Sequence, residues 1–97
     1  EQVVVGHAEV RQLFRVRRGG LIAGGMVLDG VIKRNAGARL LRGGEEIATS
    51  TISTLKRFAE DVSEVRSGFE CGLHLGGINT DLVEGDIIEI LEKRQVR

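Results

Sequence analysis

Cys71 and His74 are the closest approach in this chain to a nucleophile with its base. A thiolate nucleophile needs that base within hydrogen-bond reach. Three positions apart on a strand, the two side chains are sent to opposite faces instead. The carboxylate pairs Asp61 with Glu64 and Glu84 with Asp86 fall in turn or helix-entry settings, where capping explains them. Cys71 has no second cysteine, and neither His7 nor His74 has metal-ligand spacing to it. No Gly-Lys dipeptide is available for a P-loop, and no Gly-x-Gly for a dinucleotide fingerprint. These residues predict no catalysis, no metal and no cofactor in this domain.

What remains is charge and its placement. Lys plus Arg and Asp plus Glu both total 14, so the net charge is zero. Residues 1–44 nevertheless hold eight basic and three acidic groups, and residues 45–97 hold six and eleven. A neutral total argues against indiscriminate duplex binding, which draws on a net basic surface. A local patch from Arg11, Arg15, Arg17, Arg18, Lys33, Arg34, Arg39 and Arg42 stays open, beside the plainer reading of a solvated strand face. Only three aromatics are present, all Phe, which excludes a broad platform for stacking bases. A single cysteine suits a reducing cytoplasm. No apolar run approaches the roughly 18 residues of a membrane span, and no basic n-region opens the chain.

The elements that must position these groups read as short strands. Ninety-seven residues make one domain, expected over 1–97. Fourteen glycines and no proline imply a chain that turns by glycine, with doublets at 19–20, 24–25, 43–44 and 76–77. Residues 1–6 read as a linker. From Ala8 to Val16 alternation predicts a half-buried strand with Ala8, Val10 and Phe14 on one side, broken only at Gln12 and Leu13. Leu21 to Leu28 reads as a strand, with Asp29-Gly30 as a hairpin turn into Val31-Ile32. Ala38 to Arg42, Gly43-Gly44 and Ile47 onward repeat the hairpin pattern. Thr49 to Leu55 is strand-like. Lys56 to Arg66, with Phe58, Val62 and Val65, predicts one or two helical turns. Ser67-Gly68 turns into the alternating Phe69, Cys71, Leu73 and Leu75; Ile87 to Leu91 is the last strand, and 93–97 a frayed tail. The fold class expected is all-β: a small closed antiparallel barrel of six to seven strands with one short helical turn. Closure gives no reason to expect more than a monomer.

Two stretches carry a resemblance: Ser53-Thr54-Leu55-Lys56-Arg57-Phe58, continuing through Glu60-Asp61-Val62 and Glu64-Val65, and Gly68-Phe69-Glu70-Cys71-Gly72-Leu73. With Ala8-Glu9-Val10-Arg11, Ile22-Ala23-Gly24 and Glu84-Gly85-Asp86-Ile87-Ile88-Glu89, they resemble the last domain of bacterial translation initiation factor two, from about Gly6 to Leu91. The resemblance implies a β-barrel similar to domain two of elongation factor Tu. It also implies binding of the formylmethionyl and 3′ acceptor end of initiator tRNA, and ribosome contact through a longer cytoplasmic parent protein. The parent's GTPase domain would bind GTP upstream, leaving no cofactor in this domain. The family's binding residues map onto Lys56, Arg57, Glu70, Cys71 and Gly72. Three positions depart from its pattern: Gly25 stands where the family has Cys, Phe58 where it often has Tyr, and Ala59 where Lys is common.

These residues suggest a physical site. A formylated amino end is a neutral amide, whereas a free α-ammonium carries a large desolvation cost in an apolar pocket. Cys71 and Phe58 would border the methionine and formyl group, with Gly72 leaving room. Lys56 and Arg57 would hold the acceptor-end phosphates, Arg as a fork and Lys as a point charge. Glu70 would orient Arg57 or accept from a ribose hydroxyl. The plainer alternatives are Cys71 as a core residue, Lys56-Arg57 as a solvated turn, Glu70 as one half of a cross-strand pair, and Phe58 as a staple for the helical turn. A docking barrel that contacts ribosome or sister domains through a weakened tRNA site is the competing function.

Overall fold

The computed structural model describes residues 2–16, 20–58, 60–76 and 82–93. They form β1 Gln2–Val16, β2 Gly20–Lys33, β3 Gly37–Arg42, β4 Glu45–Arg57, β5 Glu60–Asp61, β6 Glu64–Arg66, β7 Glu70–Gly76 and β8 Ile87–Lys93. Six strands close on themselves in the order β1-β8-β3-β4-β7-β2 and back to β1, every pairing antiparallel. The expected all-β, barrel-like closure is therefore present. β6 adds to the end of β2 and β5 to the end of β4. The interior is filled by alternating side chains, among them Ala38 and Leu40 of β3, Cys71, Leu73 and Leu75 of β7, and Ile88 and Ile90 of β8.

Three expectations are corrected. Residues 2–6 are not a linker but the first third of β1, paired with β8 from Gln2↔Lys93 onward. Asp29-Gly30 does not turn a hairpin. β2 continues through it without a break, and Gly30, at φ 63°, sits beside a register shift in the pairing with β1. Backbone meets backbone there: a Cβ on Gly6 would lie 2.5 Å from the Val31 carbonyl oxygen, and one on Gly30 would overlap that of Val5. The redirected end of β2 pairs with β6. Lastly, residues 56–66 hold no helix: β4 continues to Arg57, the chain turns at Phe58, and β5 and β6 follow.

A bulge explains the broken alternation in β1. Val10 pairs with Gly25 and Gln12 with Gly24, so Arg11 is an extra residue. Beyond it the inward set changes parity: Leu13 packs on the core, and Phe14, expected on the same side as Ala8 and Val10, is 51% exposed. The Gly43-Gly44 turn is as expected, with φ of 62° and 85° joining β3 to β4. The tail beyond Lys93 lies outside the described residues.

Asp86, next to the start of β8, is the one buried charged or polar residue among those described. Arg42 donates to it from Nε at 2.9 Å and Nη2 at 2.8 Å, and the Val83 backbone N–H donates at 3.0 Å. Burial pushes this carboxyl up, but the Arg42 hydrogen bond, the Val83 N–H and the Arg42 charge together hold it below its usual range. Because the folded pKa is depressed, the stabilisation is complete above the unfolded value of about 4 and is lost as pH falls through the folded one. Asp86→Asn is expected to cost about 2 kcal/mol at pH 7, since Arg42 is partly solvated. Thermal melts of the two proteins should converge as pH falls through the depressed folded value; a gap independent of pH would assign the cost to packing.

Candidate nucleic-acid interface

The end of β4 and the start of β7 meet in register. Lys56 pairs with Gly72 and Leu55 with Leu73, while on the other edge of β7 Gly24 pairs with Gly72, Gly25 with Cys71 and Met26 with Glu70. Leu55, Leu73 and Ala23 point inward, so the row Gly24, Gly72 and Lys56 faces out. This places two residues without side chains between the exposed Phe14 and the Lys56 ammonium. A Cβ on Gly24 would lie 3.4 Å from the Phe14 ring, and one on Gly72 3.7 Å from Ile22.

Arg57 is held between two rings. Its Cζ lies 4.9 Å from the centroid of Phe58 and 4.4 Å from that of Phe69. Phe58 is 87% exposed and adopts φ 52°, a left-handed backbone that costs a bulky L residue on the order of 1–3 kcal/mol. It is thus a strained, outward-facing aromatic and not a staple on a helical turn. The Arg57 Nε is buried and has no hydrogen-bond partner among the described residues. A small open pocket of about 270 Å³ lies beside it, lined by Arg57, Glu64, Val65, Arg66 and Phe69.

Charge pairing divides the basic side chains into two groups. Arg11, Lys33, Arg39, Arg42 and Arg66 each lie within 4.0 Å of a carboxylate. Lys56 and Arg57 have no ion pair among the described residues, although Asp61 and Glu60 are their register partners in β5. Glu70 is exposed and makes no hydrogen bond or ion pair with Arg57, so the structure gives it no orienting contact.

Cys71 belongs to the core, at 6% exposure. Burial pushes its thiol up to about 11, against a smaller opposing pull from the nearby Arg57 charge. It is a neutral thiol at physiological pH and presents no wall to solvent, which corrects its expected place beside a bound formyl group. Gly25, its register partner, is also buried, and a Cβ there would lie 3.1 Å from the Glu9 carbonyl oxygen. A family cysteine would need the Glu9 backbone to give by a few tenths of an ångström. Ala59 lies outside the described residues. Of the expected site, Lys56 and Gly72 face outward in one row, Arg57 lies with Phe58 and Phe69 at the adjoining end of β4, Glu70 is exposed at the start of β7, and Cys71 and Gly25 are buried.

Two contributors were not picked out from the sequence. Phe69 stood in the Gly-Phe-Glu-Cys-Gly motif but was assigned to the alternating inward set. Plain alternation places Phe14 inward; the Arg11 bulge that turns it outward shows in the sequence only as the break at Gln12 and Leu13. No group of three or more His, Cys, Asp or Glu able to hold a metal occurs among the described residues.

A family model described as elongation factor Tu domain 2 matches residues 20–93. The matched span runs from the start of β2 to the end of β8 and contains every expected site residue.

Proposed function

The chain belongs to the elongation factor Tu domain 2 family, and on that premise we propose that it binds the formylmethionyl and 3′ acceptor end of initiator tRNA in bacterial translation initiation. In this reading the domain performs no catalysis, and GTP is bound by an upstream domain of a longer cytoplasmic protein that works on the ribosome. The observation that carries the proposal is Arg57, in contact with the rings of Phe58 and Phe69 and next in the chain to Lys56, which has no ion pair among the described residues. A preordered guanidinium offers a bidentate fork to a phosphate, and the exposed Phe58 ring gives a splayed terminal base a face to stack on.

The glycine row changes how the formyl group would be read. Gly24 and Gly72 let a ligand approach the strand backbone, with Phe14 as the apolar flank and Lys56 opposite. A neutral formamide settles on such a surface, whereas a free α-ammonium meets the Lys56 charge and loses hydration. Cys71 supports that floor from below and makes no contact.

Titration with formylated and unformylated methionyl initiator tRNA tests the reading. The formylated form is expected to bind at least tenfold more tightly, about 1.4 kcal/mol. Equal affinities would overturn it in favour of the competing docking barrel, a reading favoured by the burial of Cys71 and Gly25.

A further inference from the structure

A second surface, separate from the Arg57 clamp, has the form of a ligand trough. It is an open groove of about 920 Å³ whose lining includes Lys33 to Arg39, Thr49 to Thr51 and Leu91 to Lys93. Its floor is low because Gly37 stands between Thr51 of β4 and Leu91 of β8, its register partners on either side. Ala36 and Gly37 are half-buried and Leu91 is nearly covered, at 6% exposure, so the floor is strand backbone with small apolar groups, while Thr49 and Thr51 are exposed along one bank. Along β4, Thr51 lies five residues from Lys56, ~17 Å at about 3.3 Å per residue.

The charges on this groove are not equivalent. Lys33 is paired with Glu92 at 3.0 Å. Arg39 is held by Glu89 at 2.8 Å, and its Nε lies 2.7 Å from Glu46 without hydrogen-bond alignment. Arg34 and Lys93 have no ion pair among the described residues, and both are exposed at the groove's edge. Arg34 is anchored by its backbone, its N–H donating to Ser63 at 2.9 Å, and the Asn35 N–H donates to Ile52 at 2.8 Å. The turn that carries Arg34 is thereby fixed to β4 and to the segment before β6.

The geometry points to a binding site for single-stranded RNA in this groove, with Arg34 and Lys93 on phosphates, threonine hydroxyls on ribose, and a base against the Gly37–Leu91 floor. An apolar floor with hydroxyls and two separated cations matches a nucleotide chain, which alternates flat apolar faces, sugar hydroxyls and single negative charges. An acidic peptide would meet the two cations but has no flat apolar face to lay on the floor. The groove's openness suits a chain that passes through it over a small molecule that is enclosed.

The test uses fluorescence anisotropy with labelled decauridylate, from 50 to 200 mM salt. It is done in a Lys56→Ala, Arg57→Ala background, so that failure of the acceptor-end site does not bear on the result. That background is expected to retain binding. Adding Arg34→Glu with Lys93→Glu should weaken it at least tenfold and flatten the salt slope by about 1.4, the value for two phosphate contacts on a single strand. Gly37→Val keeps the net charge and narrows the floor; its Cβ would lie at an ordinary 3.5 Å from that of Leu91, so it should fold and bind severalfold more weakly. Unchanged affinity in either variant overturns the site. Displacement of the RNA by decaglutamate at equal concentration also overturns it, since the groove would then be a general polyanion surface.

Discussion

Arg57→Ala is expected to weaken binding of formylmethionyl initiator tRNA by about 2 kcal/mol, roughly thirtyfold. The size follows from how the residue is held. A surface arginine surrenders rotamer freedom when it grips a phosphate, whereas the contacts of Arg57 with Phe58 and Phe69 already restrict part of that freedom. The charge is also uncompensated among the described residues, so nothing must be displaced before it pairs. Arg57→Lys separates charge from shape: an ammonium keeps the attraction but neither stacks as a plane nor presents a fork. Its affinity should fall between those of the parent and the alanine variant, with the salt slope preserved. Melting should shift little in either, because a cation–π contact at an exposed site is worth about 0.5–1 kcal/mol. Full affinity in Arg57→Ala would make the stack a structural feature without a role in binding.

Gly30→Ala is expected to be the most damaging single-methyl change, costing about 3–4 kcal/mol and lowering the melting temperature by about 20 °C. Two costs combine. The residue sits at φ 63°, and its new Cβ would overlap the Val5 carbonyl oxygen, a backbone atom that cannot rotate away. Gly43→Ala separates them, since Gly43 has nearly the same φ of 62° with nothing within 4 Å of a Cβ. It should cost only about 1 kcal/mol. Equal losses in denaturant melts would show that backbone conformation alone sets the cost and that the Gly6–Gly30 crossing contributes nothing.

That crossing also shows where local sequence signals stop. Asp29-Gly30 carries the chemistry of a hairpin turn, and its glycine does adopt the left-handed conformation such a turn would use. What differs is the partner. β1 lies alongside both halves of β2, so the same glycine serves a bend within one long strand. The stretch Lys56 to Arg66 misleads in a similar way. Phe58, Val62 and Val65 have helical spacing, but Val62 donates its N–H to Leu55 and β6 is claimed by the end of β2. Long-range pairing outweighs a helix of one or two turns, which cannot form alone.

The candidate site divides along the same line. Lys56, Arg57 and Gly72 are recognisable from motif and residue chemistry; register sets Lys56 opposite Gly72, and Arg57 follows at the end of the same strand. Cys71 shows the limit of that reading. Its alternation with Leu73 and Leu75 already implied the core, and the structure places it there, with the thiol neutral. The three phenylalanines, which read from composition as too few for a stacking platform, are all at least 47% exposed, and two of them enclose Arg57.

By itself the sequence determined the class of the fold: glycine turns, period-two alternation and the lack of proline leave short antiparallel strands as the arrangement that buries the apolar residues. It also determined which side chains are available for phosphate recognition, because residue type is local information. Only the tertiary structure decided which of them act together. A one-residue bulge at Arg11 sets which face Phe14 takes, and strand register sets Lys56 opposite Gly72. Ion pairing across strands leaves some cations neutralised and others open. Each of these depends on contacts between residues far apart in the chain, whose energies are settled by closure of the ring and not by any local run of residues.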